Sequence, residues 1–483
     1  MLSASLFMKC GFAPKVCFTD RSAALEILAR EQRAVPKGMG RTMIKQNKQQ
    51  KNASLRIPLS MPFLPLAVDF AGKGARGFAY TDKESHSLEL AVEELFSFYV
   101  QKVAADSAVE LEVEDQGYRL ALSISFQMAN PDMRAFNLVW QVNPDSEESL
   151  ELLGPMIAAR SVSSLRLDFG NDDRITLRMT RNRDYPTTQV AALPPPNTQG
   201  PVRLVEPSSS DLRHFSAMVS ASGAPFIPGF LASPGMAADM LAAGHLNAIL
   251  ALRGDWIIGG VLWRPLTDSC LELYGPYLFN DDPDDVVLTL LLDEAVGRIS
   301  RSRFRGLVRR QGQLQGYERF FDLLGELDLT GISGAATRST YYYRQLREEG
   351  GGVVYCSGAL ATFLADQYNR LCLPRQLREN GGEQLRLRDA SVLAVELEYP
   401  RSLAIIRPLC AGKDMAANLA AHLDLLQNDG INNFMVEINT GRSEDIAFTD
   451  ALEATGFVPR LLIPDAGLGD LVIYEHRVRK QQS

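Results

Sequence analysis

Residues 88–100, LELAVEELFSFYV, decide how the first third of this chain is read. Leu88, Ala91, Val92 and Leu95 recur at the spacing of one helix face, and Glu89, Glu93 and Glu94 fall between them, which predicts an amphipathic helix. Working outward, a short strand is expected at Leu55–Leu59 and a helix at Pro62–Gly72, where the proline is tolerated in a first turn. On the other side, Ala108–Glu114 and Tyr118–Gln127 alternate as paired strands around Asp115-Gln116-Gly117. Glu148–Ala158 reads as a helix, and Val162–Asp168 with Arg174–Thr180 as a hairpin around Gly170-Asn171-Asp172. Residues 53–185 are therefore expected to form an α+β sandwich, one sheet with helices on one face.

The acidic helix resembles the first ATP-site helix of the GHKL ATPases, most closely that of the anti-sigma-factor serine kinases, where E-L-A-V-D/E-E is followed three residues later by Asn. The order of elements over about 130 residues is also that family's. The resemblance implies that Glu94 activates a water or hydroxyl. It also implies that residue 98 faces the Mg²⁺ bridging the ATP phosphates. That residue is Phe98, and a phenyl ring cannot ligate an ion that takes oxygen ligands. The family's D-x-G-x-G motif falls at Ser125–Asn130, without Asp or Gly, and its Gly-x-Gly loop falls at Ser149–Gly154, with a single Gly. What the resemblance implies is an altered ATP/Mg site with Glu94 and Phe98 as its cofactor-side residues, a sigma factor or anti-sigma antagonist as partner, and homodimerisation.

The composition bounds the classes. The chain has 483 residues, 46 % of them apolar and 22 % charged, as in ordinary globular domains. No apolar run reaches the roughly 18 residues of a membrane span, and LSASLFM is too short for a signal peptide, so a cytoplasmic protein is expected. The net charge of −8 is uneven. Residues 1–52 hold ten Lys or Arg against three Asp or Glu, leaving 40 basic and 55 acidic residues in the rest. The acidic body argues against nucleic acid as a partner. The basic 1–52 segment, with KQNKQQKN at its end, reads as a disordered tail, and Met43 is an alternative start to Met1. Cys10, Cys17, Cys270, Cys356, Cys372 and Cys410 form no C-x-x-C and no metal spacing with histidine, so reduced thiols and no metal site are expected.

A proline-rich linker spans 186–201. Beyond it come a strand at Val202–Val205, a helix capped within Ser208–Leu212, strands Asn247–Leu252, Trp256–Arg264 and Leu271–Phe279, a helix Val286–Ser300, a strand Arg305–Val308 and a helix Gly316–Leu324. A similar series follows: hairpin Val392–Tyr399 and Ser402–Pro408, helix Asp414–Asp429, strand Asn433–Asn439, helix Glu444–Thr455, and closing strands Leu461–Ile463 and Asp470–His476. The first series resembles the GNAT N-acetyltransferases in its opening and in the hairpin before a long strand and helix. The second resembles them in ALEATGF, residues 451–457. The expected fold class is thus α+β multidomain: a GHKL-like α/β sandwich, a GNAT-like domain at 202–340, a helical bridge at 341–390 and a second GNAT-like half at 391–479.

That resemblance implies acetyl-CoA as cofactor, its pyrophosphate held at a helix amino terminus, and an acid or base for proton transfer. Asn280–Asp285 sets four carboxylates and Pro283 at the first such loop. In the second, Gly412 and Lys413 precede the helix and are the candidate phosphate-holding residues. Tyr317 stands at the first half's acid position and Glu437 on the strand of the second half where a base would lie; Glu272, Tyr274 and Asn439 are further candidates, and Leu452 fills the second half's acid position. The aromatic run Tyr341–Tyr343 is read as preceding a helix. Three functions follow: a regulatory protein acting through a protein or small-molecule ligand, an acyl-CoA-dependent N-acetyltransferase, or an ATP-dependent serine/threonine kinase.

Overall fold

The computed structural model describes residues 15–18, 51–104, 106–129, 131–140, 150–170, 172–186, 191–195, 200–224, 227–280, 284–310, 319–331, 334, 336–348, 350–379 and 387–476. The chain divides into two compact units. One comprises Met1–Pro131 with Val142–Asp184, the other Asp132–Gln141 with Tyr185–Ser483.

In the first unit, strands β1 (Lys15–Phe18), β2 (Lys51–Pro58), β3 (Ala108–Asp115), β4 (Arg119–Gln127), β5 (Ser164–Phe169) and β6 (Arg174–Asn182) form one antiparallel sheet in the order β1-β2-β3-β4-β6-β5. Period-two alternation sets its faces: Val109, Leu111 and Val113 are buried, whereas Glu110 and Glu114 on the other face meet Arg174 and Arg178. Helices α1 (Leu64–Gly77), α2 (Asp82–Val100) and α3 (Leu153–Ser161) belong to the apolar face, where Tyr99 of α2 stacks 4.5 Å from Phe126 of β4. A capping box starts α2: the Glu84 N–H donates to Thr81 Oγ1, and the Thr81 N–H donates to the Glu84 carboxylate. The helix expected at Pro62–Gly72 begins after a 3-10 turn at Met61–Phe63 and runs on to Gly77.

Among its described residues the second unit holds three sheets, two of them of related topology. The first contains β7 (Val202–Val205), β8 (Asn247–Arg253), β9 (Trp256–Pro265), β10 (Cys270–Leu278), β11 (Gly306–Arg309), β12 (Asp322–Thr330) and β13 (Ala336–Gln345), in the order β12-β13-β11-β10-β9-β8-β7. Helices α4 (Ser209–Ala221), α5 (Gly229–Ala232) and α6 (Pro234–Ala243) lie between β7 and β8 in the chain. Helix α7 (Val286–Ile299) buries Val287, Leu288, Leu291, Leu292 and Ala295 with Ile249, Val261 and Leu273 of the sheet.

After β14 (Gly352–Cys356), α8 (Gly358–Leu371) and β15 (Arg375–Glu379) comes the second sheet. It contains β16 (Val392–Glu398), β17 (Leu403–Cys410), β18 (Asn433–Asn439), β19 (Phe457–Ile463) and β20 (Leu471–His476), in the order β16-β17-β18-β20-β19. Its connections are α9 (Met415–Asn428), α10 (Ser443–Ile446) and α11 (Thr449–Ala454). Read strand for strand, this repeats β9 to β13 of the first sheet and omits counterparts of β7 and β8. The two sheets share an apolar seam of Cys270, Val308, Leu327, Tyr341 and Tyr343 with Leu403, Met435, Leu461 and Ile473.

Three expectations change at the level of elements. Gly316–Leu324 is not a helix where it is described: Asp322 onward is strand β12, paired with β13. Tyr341–Tyr343 lie within strand β13, and the 341–390 stretch holds strands β14 and β15 around a single helix among its described residues. The helix expected at Glu444–Thr455 is broken into α10 and α11. No helix among the described residues is long and apolar enough to cross a membrane.

Candidate functional site

Each of the two larger sheets of the second unit contains one parallel strand pair among its described strands, and in both the pair separates partway along. β10 and β11 pair only over Cys270–Glu272 with Gly306–Val308. β17 and β18 pair only over Leu403–Ile406 with Asn433–Val436. Beyond these registers the strands continue unpaired to one another, and in each case the next helix, α7 or α9, follows the first strand of the pair. Such an opening exposes backbone groups that must find partners.

In the first sheet the partner is an arginine. Buried Arg309 donates from Nε to the Gly275 carbonyl at 3.1 Å, across the opening and at the bulge of β10 between Tyr274 and Tyr277. Beside it runs a chain of charges. Arg264 Nε donates to the Tyr274 hydroxyl at 2.7 Å, and that hydroxyl donates to Glu272. Arg310 Nε donates to Glu272 Oε1 at 2.7 Å, and Arg310 Nη1 lies 3.6 Å from Glu437 Oε1. Arg407 Nε donates to Glu437 Oε2 at 2.5 Å, and its Nη1 donates to Glu396 at 2.7 Å. The ladder alternates sign from one sheet to the other, as buried charges must if they are to remain charged.

Its electrostatics decide its chemistry. Burial acts to raise the pKa of Glu272, but Arg310, Arg264 and the Tyr274 hydroxyl outweigh it and pull the carboxyl down to about 2. Burial likewise works against ionisation of Glu437, and Arg407 and Arg310 hold it below the usual carboxylate range. Tyr274 is pushed well up, by burial and by the neighbouring Glu272. Carboxylates stabilised in this way are weak bases at neutral pH, and such a tyrosine is a weak acid.

In the second sheet Arg407 of β17 reaches Glu437 of β18 just beyond the last paired residues, and a stretch of backbone covers the loop that follows β17. Residues 388–391 lie across the loop before α9: the Arg388 N–H donates to the Ala411 carbonyl at 3.3 Å, and the Lys413 N–H to the Arg388 carbonyl at 3.0 Å. A Cβ on Gly412 would lie 2.2 Å from Ala390 C and Ser391 N, so this position admits only glycine. Asp414 precedes α9 as expected, but its carboxylate accepts the Ser391 N–H at 2.6 Å rather than capping the helix. Lys413 extends outward to Asp389 at 2.7 Å, both side chains being exposed. Near the far end of β18, Asp445 of α10 accepts the Asn439 N–H at 3.2 Å; burial lifts its pKa to about 6 against the pull of Arg442. A second buried cluster ties the β19–β20 turn down: Arg375 donates to Asp470 at 2.8 Å, Arg305 pairs with Asp465 at 2.8 Å, and the Tyr343 hydroxyl donates to Asp465 at 3.3 Å.

The candidates named from sequence are distributed as follows. Glu272, Tyr274 and Glu437 meet in the ladder. Gly412 and Lys413 sit in the strapped loop. Tyr317, Asp281, Asp282 and Pro283 lie outside the described residues. Asn439 accepts from the Gly441 N–H at 3.0 Å and orders the turn after β18. In the first unit, Glu94 is half-buried on α2, and a Cβ on Gly154 would come within 2.9 Å of its Oε2. Phe98 is a core residue, edge-on to Tyr99 at 4.9 Å, with Lys102 Nζ 4.9 Å from its ring centre. Among the described residues no group of His, Cys, Asp and Glu could hold a metal ion. Sequence reasoning missed Arg309, Arg310, Arg407 and Asn137; the only signal for the first two was a pair of arginines ending an otherwise apolar strand.

No family model matches this chain, and no curated protein matches it. Solved structures do. A GNAT-family protein from Desulfovibrio desulfuricans is 19 % identical, over 30 % of this chain and 100 % of its own, with a TM-score of 0.24. An N-acetyltransferase from Staphylococcus aureus Mu50 is 12 % identical, over 31 % and 100 %, with a TM-score of 0.26. A GNAT-family acetyltransferase from Brucella melitensis, determined in complex with acetyl-CoA, is 12 % identical, over 31 % and 92 %, with a TM-score of 0.24. Each of these matches spans 30–31 % of this chain.

Proposed function

We propose that this chain is a regulatory protein whose second unit, a pair of GNAT-like halves at 202–340 and 391–479, works by binding and not by turnover. The observation that carries this reading is that the chain fills both places with its own groups: Arg309 bonds the Gly275 carbonyl across the first opening, Arg407 bonds Glu437 across the second, and residues 388–391 cover the loop before α9. Acyl transfer from CoA needs an open slot for the pantetheine arm, a free run of N–H donors for the pyrophosphate and a group that can take a proton. The Lys413 N–H is already bonded, and Glu272 and Glu437 are held as stable carboxylates. On this reading the GHKL-like domain at 53–185 contacts a protein partner, with Phe98 packing the core where Mg²⁺ chemistry would need an oxygen ligand. The test is calorimetric titration of the full chain with acetyl-CoA, CoA and Mg-ATP, beside an acetyl-transfer assay on amine acceptors. No heat and no transfer are expected with either CoA species; stoichiometric binding with turnover would overturn the proposal.

A second reading, an acyl-CoA-dependent N-acetyltransferase, is favoured by one observation: each half sets a diverging parallel pair before a helix of 14 residues. It requires the strap or the Arg309 bridge to move. Lys413→Glu should then abolish acetyl-CoA binding, and Tyr317→Phe should slow transfer without weakening binding.

A further inference from the structure

The two larger sheets of the second unit differ at one edge. β9 is flanked by β8, and β8 by β7, whereas β16, which holds the place of β9 in the second sheet, has β17 alone beside it among the described strands. A bare edge leaves backbone groups in want of a partner. At the start of β16 that partner is the side chain of Asn137. Its Nδ2 donates to the Ser391 carbonyl at 2.9 Å, and its Oδ1 accepts the Leu393 N–H at 2.9 Å. One residue of a neighbouring strand pairing in parallel with Val392 would bond these same two groups, so the carboxamide stands in for a strand.

Asn137 is itself held. Asn418, in the first turns of α9, donates from Nδ2 to Asn137 Oδ1 at 3.1 Å, to the Ser391 carbonyl at 3.0 Å and to Ser391 Oγ at 3.0 Å. Asn137, Ser391 and Asn418 are all buried. The segment around Asn137 is shaped beforehand: Asp132 binds Arg134 through backbone and side chain, a 3-10 turn follows at Arg134–Phe136, and Met133 and Ala135 are buried. In the chain these residues lie between β4 and α3, elements of the first unit, yet they belong to the second. Ser391 is also the end of the strap, tied by its N–H to Asp414.

We propose that residues 132–140 are a latch: an internal docking segment that, through Asn137, fastens strap 388–391 over the loop before α9 and completes the bare edge of the second sheet. The latch does not depend on whether that loop holds a ligand. It predicts that the strap opens as a local unit when the latch is removed, while the sheet beneath stays formed.

The test is residue-resolved amide hydrogen exchange on the full chain, comparing the native protein with Asn137→Ala and Asn418→Ala. The N–H groups of Ser391, Leu393 and Lys413 should exchange on the order of 10- to 100-fold faster in both variants, because two or three net hydrogen bonds are lost. The N–H groups of Val436 and Ile438 in β18 should keep their native rates. Unchanged rates at Leu393 and Lys413 in Asn137→Ala would overturn the proposal. So would equal acceleration of the strap and β18 in both variants, which would make the contact ordinary core packing. If Asn137→Ala does not fold, Asn418→Ala decides alone, since it leaves the docking segment intact.

Discussion

The two larger sheets of the second unit share a topology, and each carries an arginine across its weak point, Arg309 in one and Arg407 in the other, but only the second adds a cover of backbone. In the first, a side chain crosses the opening: Arg309 bonds the Gly275 carbonyl, and Arg310 bonds Glu272. In the second, a stretch of backbone lies over the neighbouring loop, pinned at Gly412, Lys413 and Asp414. The polarity is also exchanged. The first sheet puts the carboxylate on the leading strand of its parallel pair, Glu272 on β10, and the guanidinium after the other strand; the second puts Arg407 on β17 and Glu437 on β18. That exchange is what lets the halves join, because Arg310 finds a carboxylate on both sides of the seam. Two sheets with the same polarity would have brought like charges together there.

The largest expected effect comes from breaking this join. Arg310→Met leaves Glu272 and Glu437 buried with one charged neighbour fewer each. Losing a partner from a buried pair costs about 3–5 kcal/mol, and the low end applies because Arg264 and Arg407 remain. The loss would be read as a lower denaturant midpoint. The acid limb should change as well. With its folded pKa near 2 against an ordinary 4.5, Glu272 contributes stability that is present above about pH 4.5 and lost as pH falls toward 2. Raising that pKa in Arg310→Met should flatten the limb. Native stability in the variant would mean that the halves stand independently and that the ladder merely decorates the seam.

The next effect is confined to the second half. Gly412→Ala places a methyl within 2.2 Å of backbone atoms of Ala390 and Ser391, which no rotamer change can relieve. The strap must lift, at a cost of roughly 1–3 kcal/mol as for other overpacked sites. A thermal melt gives the loss, and faster exchange at the Lys413 N–H locates it. An unchanged melt would show that the strap is loosely held in the native chain and that the two closures differ in strength as well as in kind.

How far the sequence revealed this follows from the range of the interactions. Helix α2 was legible over residues 88–100 because the Leu88–Leu95 face is a local signal; its start at Asp82, marked by the capping box of Thr81 and Glu84, was not read. The hairpins were legible because alternation survives in AVELEVE and its partner. Gly316–Leu324 was misread because Phe320, Phe321, Leu323 and Leu324 fit a helix face as well as a strand, and long antiparallel pairing with β13 decided for the strand. Glu272 and Glu437 could be singled out as buried acids on apolar strands, but not their role, since that rests on an arginine from the other sheet. Asn137 carried no signal: its partner carbonyl lies 254 residues away, and an asparagine in an irregular stretch reads as a turn residue.

The smallest effect separates the two openings by their response to acid. The first is bridged by guanidinium groups, and Glu272 beside them keeps its charge down to about pH 2. The second carries Asp445 near its mouth, with a pKa raised to about 6 from an ordinary 3.8. A carboxyl that binds its proton more tightly in the folded state lends stability when protonated. Its contribution is therefore present below about pH 4 and is lost as pH rises through about 6, opposite in sign to that of Glu272. Asp445→Asn should remove part of this slope, leaving stability at pH 7 within about 1 kcal/mol of native and narrowing the gain on going from pH 7 to 4. Denaturant midpoints of both proteins at pH 4, 5, 6 and 7 measure it. Parallel pH curves would place Asp445 in contact with water and leave the second opening as insensitive to acid as the first. A flattened curve would make the second opening the one that yields first as pH rises.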